Sequence, residues 1–348
     1  MKRKYTYVHV EILLIGALCA SIMLAVTIGS VAISTRDVYN VILYRLFGIG
    51  SAEFSANAIH DVVWLIRLPR LILAVGVGAA LSVSGLVMQA VVRNPLAEPY
   101  VLGISSGSYL GAVIAIVMGI GNIFGANAVG FMAFAGAFAV SMALISLANI
   151  GGRANTVKLL LAGTALSAIC MAFSNFIMYR SNDSNRVQTV VNWMMGSLGA
   201  ANWSTNAVVV PVIMGCVLFF WSQFRSLNLM LLGEEAAVSL GVELHRRRIV
   251  YLLITALMVG FAVFSAGIIG FVGLIIPHAM RMLFGSDHWK LVPFCALTGA
   301  IFLVWADVLC RITIPGAELP IGILTSMVGA PTFIYLMIRR TYSFGGDR

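Results

Sequence analysis

"SGLVMQAVVRNPLAEPYVLGISSG", residues 84–107, decides how the chain is read. It begins as an apolar run, breaks at Arg93-Asn94-Pro95, carries Glu98 and a second proline, Pro99, and becomes small and apolar again. The runs on either side lie too close together for an ordinary long loop. Neither proline can continue a helical hydrogen-bond ladder. In a bilayer, broken polar backbone is tolerated only where protein buries it or where it lines a water-filled cavity.

The rest of the chain says that a bilayer is the right setting. Of 348 residues, 60% are hydrophobic and 10% charged, against about 25% charged in soluble domains. One soluble core cannot absorb that much apolar surface. A membrane helix needs about 20 mostly apolar residues. Ten stretches qualify or nearly do: 12–34, 70–92, 100–118, 126–148, 158–178, 206–222, 249–267, 268–284, 291–309 and 319–338. The seventh and eighth run together through "SAGIIGFVGLIIPHAMRML". The expected fold is an all-α membrane protein of ten transmembrane helices, a single domain over 1–348. The basic N-terminus precedes an apolar stretch too long for a signal peptide, so it reads as a retained first helix.

Ten crossings put both termini on one side. With that side inside, fifteen Lys and Arg flank the inner ends and seven the outer ends. The positive-inside rule then makes both termini cytoplasmic and "RNPLAEPY" a cytoplasmic-side turn. Two outer segments exceed plain connectors, 35–69 and 179–205. The second turns amphipathic and suits a short helix at the outer surface, with Trp193 and Trp203 as interfacial anchors. "VGAALSVSG" (77–85) and "VGFAVFSAG" (259–267) hint at a duplicated half.

The net charge of +9 does not point to nucleic acid, because the bases sit in short clusters between apolar runs. The five cysteines lack CxxC spacing and read as small buried hydrophobes, with no zinc site or disulfide framework. No HExxH or GxxxxGK[ST] motif occurs. The chain is therefore expected to be no enzyme, with no catalytic, cofactor or metal site. Asp307 is the lone acid inside an expected span; Arg311, four residues on, suits a salt bridge. Ion-coupled transporters bury more charge than this, so a bland passage is expected, with cargo captured elsewhere.

The longest inner loop, "RSLNLMLLGEEAAVSLGVELHRRR" (225–248), has leucines near helical spacing and breaks at Gly233 and Gly241. Its mixed charge favours docking of a cytoplasmic protein over lying on anionic lipid. "RLPR" (67–70) places Arg67 and Arg70 on the outer side, against the charge bias. That suggests a landing site for an acidic partner.

These landmarks together resemble the permease subunit of type II ABC importers for iron–siderophores, haem and cobalamin. The likeness runs end to end. Its carriers are "RLPR", the quoted 84–107 stretch, "LLLAGTALSA" (159–168), "WMMGSL" (193–198), "LGEEAAVSLGV" (232–242), "GFVGLIIPHAMRM" (270–282), "DH" (287–288) and "AELPIGILTSMVGAPTFIYLM" (317–337). The resemblance implies a ten-helix subunit in the bacterial cytoplasmic membrane, paired with a second permease copy. It also implies two ABC ATP-binding subunits that carry ATP and Mg, and an extracytoplasmic solute-binding protein. Cargo would be a metal chelate, ferric siderophore first, with haem and cobalamin as alternatives. Asn94 and Leu96 would form a cytoplasmic gate, with Thr156 and Val157 as a second constriction. Leu232, Gly233, Glu234, Glu235, Ala237, Leu240 and Gly241 would seat in the ATPase. Arg67, Arg70 and Arg311 would meet glutamates of the binding protein. The segment near 186–198 would gate the dimer axis. Tyr109 stands where the family often has a small residue, and would narrow the path or touch cargo. An ion-coupled secondary transporter and a non-transporting membrane scaffold are the competing classes.

Overall fold

The computed structural model describes residues 2–29, 31–49, 57–120, 127–150, 156–233 and 244–339. Among them there is no strand. Helices α1 (Lys2–Thr27) and α2 (Thr35–Phe47) come first, then the long α3 (Ala58–Val92). A 3-10 turn (Pro99–Leu102) leads into α4 (Ile104–Val117), followed by α5 (Ala128–Asn149) and α6 (Thr156–Ser181). The short α7 (Ser184–Met194) precedes α8 (Trp203–Ser222) and α9 (Phe224–Leu232). The last four are α10 (Leu244–Ala266), α11 (Val272–Phe284), α12 (His288–Ile312) and α13 (Ile321–Arg339).

Each of the ten expected stretches has its helix, but not all are full-length. Among the described residues seven helices are long and apolar enough to cross a membrane: α1, α3, α5, α6, α8, α10 and α12. Helices α4, α11 and the Ile321–Tyr335 part of α13 are apolar but shorter. With 14 residues, α4 reaches only about 21 Å, short of a hydrocarbon core of about 30 Å. The stretches expected at 100 and 268 start late because backbone breaks precede them. Pro99–Leu102 winds as 3-10, Gly103 has φ 88°, and Phe271 has φ 69°.

The second expected helix departs the other way. It begins at Ala58, twelve residues before the expected start at 70. Asn57 Oδ1 accepts from the His60 N–H at 2.8 Å and caps it. Pro69 reads as a helix start, yet it lies inside. The seven residues before Leu68 wind as a π-helix, the Leu68 N–H reaching back to the Val63 carbonyl. These widened turns relieve the clash between a proline ring and the preceding turn.

Helix α3 is the hub, its apolar window 89% buried, with α12, α10, α8 and α11 packed around it. Small residues set these distances, as in lipid, where close backbone approach replaces the hydrophobic drive between helices. A Cβ on Gly78 would overlap the Gly299 carbonyl of α12, and one on Gly85 would overlap the Gly273 carbonyl of α11. A second layer joins α4 to α5, with Ala112, Ala133, Ala137, Val259 and Val263 buried between α4, α5 and α10. Helix α1 is peripheral; Trp305 Nε1 of α12 donates to its Ser21 Oγ at 3.0 Å. Its Cys19 is exposed, which corrects the expectation of five buried cysteines; the other four are buried.

Helix α7 is the short amphipathic helix expected within 179–205. Asp183 caps it, accepting from the Asn185 and Arg186 N–H groups. Several helices keep apolar faces uncovered, among them α1 through Ile12 and Leu13, α6 through Leu161, Phe173 and Phe176, and α13 through Met327, Val328 and Ile338.

Candidate functional site

The 93–103 turn is built at one end of α3. Arg93 leaves the helix with φ 54°, left-handed for a non-glycine residue. The Asn94 N–H donates back to the Gln89 carbonyl, and Asn94 Oδ1 accepts from the Leu96 N–H at 2.9 Å, closing an Asx turn. The turn then folds back along the bundle. Glu98 Oε1 accepts from the Phe271 N–H at 3.0 Å. Tyr100 Oη donates to the Ile269 carbonyl at 2.8 Å and accepts from the Ile269 N–H at 3.3 Å. Phe271 precedes α11 and offers no cap from its own side chain, and Glu98 takes up the one N–H of Phe271 at that helix start. Gly273 meets α3 at Gly85, seven residues or about 10 Å short of the end of α3. The turn therefore folds back beside α3, and its irregular backbone is held by protein groups.

Asn94 is half-buried and Leu96 is 41% exposed at the tip. Thr156, at the start of α6, is brought to the same place; its Oγ1 donates to the Val92 carbonyl at 3.1 Å. Val157 beside it is 62% exposed. The start of α6 is therefore held at the end of α3, where the turn begins. Tyr109 lies elsewhere. It is 6% exposed, its hydroxyl faces Met178 Sδ at 3.4 Å, and it packs with Val113 and Val190 between α4, α6 and α7. In this structure the phenol fills a gap inside the subunit.

Helix α9 ends next to the turn. Leu232 is exposed and Gly233, with φ 103°, is buried. A Cβ on Gly233 would lie 3.1 Å from Arg93 Nη1, so the guanidinium of the turn rests on the end of α9. Glu234, Glu235, Ala237, Leu240 and Gly241 lie outside the described residues. What the structure does place are the two stems of that segment. Tyr251 Oη of α10 donates to Gln223 Oε1 at 3.1 Å, and Arg247 donates to Ser226 Oγ.

The opposite end of the bundle carries the ionic cluster. Asp307 of α12 is fully buried between Arg70 Nε at 2.7 Å and Arg311 Nε at 3.1 Å. Arg70 Nη1 also donates to both oxygens of Glu318, each at 2.8 Å. Arg67 donates to the Val26, Thr27 and Val31 carbonyls, and Arg311 to Ile28. These two guanidiniums cap the end of α1, where partial negative charge accumulates. The i,i+4 pairing of Asp307 with Arg311 is present. These three arginines are not free for a docking partner: Arg67, Arg70 and Arg311 are 4%, 5% and 7% exposed. Carbonyls and carboxylates of the same chain already use their donors. The half-exposed member is Glu318, 49% open at its side chain.

Sequence reasoning missed three partners here: Glu98 for α11, Glu318 for Arg70, and Asn228 for the Asp287-His288 corner. The corner alone left a local signal, an aspartate directly before an apolar run, which is an N-cap pattern. Among the described residues no group of three His, Cys, Asp or Glu side chains is placed to hold a metal, and the sites contain no nucleophile–base pair.

Comparison with known proteins agrees with this geometry. The FecCD transport family model matches residues 17–339. The hemin transport system permease protein HmuU of Yersinia pestis is 40% identical over 316 residues, covering 86% of this chain and 94% of that one. The vitamin B12 import system permease protein BtuC of Citrobacter koseri is 43% identical over 286 residues, covering 82% and 85%. A solved structure, described as an inward-facing conformation of a metal-chelate type ABC transporter, superposes with TM-score 0.83 at 29% identity over 95% of this chain and 99% of that one.

Proposed function

The chain belongs to the FecCD transport family, and from that premise we propose that it is the permease subunit of an ATP-driven importer of a metal chelate. Haem and cobalamin are the cargoes of the relatives it resembles at 40% and 43% identity; a ferric siderophore is the third candidate. The chain is a transport subunit, and ATP hydrolysis belongs to separate ATP-binding subunits.

The 93–103 turn carries the reading. It is irregular, it lies next to Thr156 and Val157, and it touches both the end of α9 and the start of α11. Asn94, Leu96, Thr156 and Val157 form the cytoplasmic gate. The segment from Leu232 through Gly241 seats in the ATPase. Ten crossings with both termini cytoplasmic fit the charge distribution of the flanks, with α4, α11 and α13 as the short members inside a paired assembly. A second permease copy sits beside this one, and the bare apolar faces leave room for it as well as for lipid. A solute-binding protein docks at the ionic end, where the arginines shape the surface through their network. The whole chain acts as one membrane domain in a bacterial cytoplasmic membrane. Asp307, the acid an ion-coupled transporter would need, is occupied by two guanidiniums.

The test is composition. The complex is purified through a tag on this chain and weighed by native mass spectrometry. Two permease copies with two ATP-binding subunits are expected. A lone permease chain with no ATP-binding subunit in the native membrane would refute the proposal.

A further inference from the structure

Where α9 meets α12, one asparagine holds two elements together. Asn228 Nδ2 donates to Asp287 Oδ1 at 2.9 Å. Its Oδ1 accepts from the His288 N–H at 2.9 Å and lies 2.7 Å from His288 Nδ1. His288 is 1% exposed. Asp287 in turn caps α12, accepting from the Trp289 N–H at 3.1 Å. Around this knot Trp221 stacks on Trp289 with centroids 5.0 Å apart, and Phe224 meets the same ring edge-on.

The arrangement demands an amide. The acceptor-only carboxylate needs a donor facing it, and the backbone N–H of His288 needs an acceptor. Aspartate at 228 would set two carboxylates against each other. Alanine would leave the His288 N–H without its partner. Asn228 lies four residues before Leu232, where the segment assigned to the ATPase begins. Helix α12 runs from this knot to Asp307 and Arg311 at the other end and packs along α3 throughout. Displacement of α9 is thus delivered to the α3–α12 pair, and α3 ends in the gate turn.

We propose that Asn228 is the positioning residue through which the ATPase-docking segment drives the gate. The Asn228–Asp287–His288 knot would make α9 and α12 move as one body. This rests on the reading of 232–241 as the ATPase seat.

The experiment uses the full complex in nanodiscs, with Cys19→Ser and a spin label at Leu161→Cys on the exposed face of α6. Distances between the two labels are measured without nucleotide and with ADP-vanadate. Thermal stability and ATP hydrolysis are measured in parallel. The parent complex is expected to show a nucleotide-driven distance change. Asn228→Asp should cut the shifted population about ten-fold while hydrolysis continues, a loss typical of coupling between sites. The swap Asn228→Asp with Asp287→Asn re-forms the 228–287 bond with donor and acceptor exchanged and keeps an acceptor for the His288 N–H; it gives up the Trp289 cap, which shares Asp287 Oδ1, and should restore the shift at some cost in stability. Asn228→Ala serves if the aspartate variant does not assemble, and should show the same loss. A full shift in either single variant overturns the proposal. So does a swap that assembles and hydrolyses ATP but does not restore the shift. A parent complex with no nucleotide-driven change would refute the reading of the ATPase seat itself.

Discussion

Neutralising Asp307 tests whether the ionic end is a structural bolt. Its carboxylate is fully buried, 2.7 Å from Arg70 and 3.1 Å from Arg311. At an effective dielectric near 20, each pair carries roughly 5 kcal/mol of gross attraction. Desolvation of the ions cancels most of it, and breaking a buried pair costs about 3–5 kcal/mol because a buried charge is left uncompensated. Asp307→Asn keeps an oxygen for Arg70 Nε, and Glu318 still holds Arg70 Nη1, so about 3 kcal/mol is expected; Asp307→Ala should approach 5 kcal/mol. An unfolding entropy near 2.1 cal/mol/K per residue converts these costs to a Tm lowered by about 4–7 °C for a chain this long. Thermal unfolding in detergent, followed by tryptophan fluorescence, reads the shift. A cycle with Arg311→Gln sharpens it. Once Asp307 is gone, removing the stranded cation should cost less than in the parent, so the double variant should be milder than the sum by more than about 1 kcal/mol. A Tm unchanged in Asp307→Asn, or strict additivity, would refute the reasoning.

Three further substitutions probe other parts of the structure. Gly85→Ala forces a Cβ into the Gly273 carbonyl and should cost about 1–3 kcal/mol or more by overpacking, whereas Gly215→Ala, with nothing near it, should leave Tm unchanged; equal Tm values would count against the α3–α11 crossing. Tyr100→Phe removes both bonds to Ile269 and should lower Tm by an amount matching about 1–3 kcal/mol, with faster amide exchange at Ile269; unaltered exchange would contradict the docking of the turn. Asn94→Ala loses the cap on Leu96 and should raise exchange at Leu96 while leaving Tm within about 1 °C, since turn-tip changes cost little globally; a large Tm loss would mean the turn is part of the core.

Much of the fold is legible in the sequence, because apolar run length is a direct consequence of bilayer thickness. All ten apolar stretches are helical, and the breaks at Asn94-Pro95 and near Gly267 fall where the residues place them. The extension of α3 back to Ala58 is not legible. Pro69 imitates a helix start, and only the π-wound turns before it explain why it is not one. The short lengths of α4 and α11 depend on positive φ at Gly103 and Phe271, and a phenylalanine announces no such conformation. At the site, Thr156 is held against Val92, just before the turn that carries Asn94 and Leu96. The arginines mislead because a lone cation in a sequence carries no record of its partner. Arg70 and Asp307 are 237 residues apart, and the Glu318 that completes the network is farther still.

The central claim is that this chain is a conduit driven by separate ATP-binding subunits. The most direct measurement is uptake into proteoliposomes holding the chain with its ATP-binding and solute-binding partners. Labelled haemin, cyanocobalamin and a ferric siderophore are offered one at a time. Accumulation of at least one is predicted, dependent on ATP at the face carrying the ATP-binding subunits and on every partner, and insensitive to uncouplers. Accumulation by this chain alone under an ion gradient, or an assembled complex that hydrolyses ATP and moves none of the three, would contradict it.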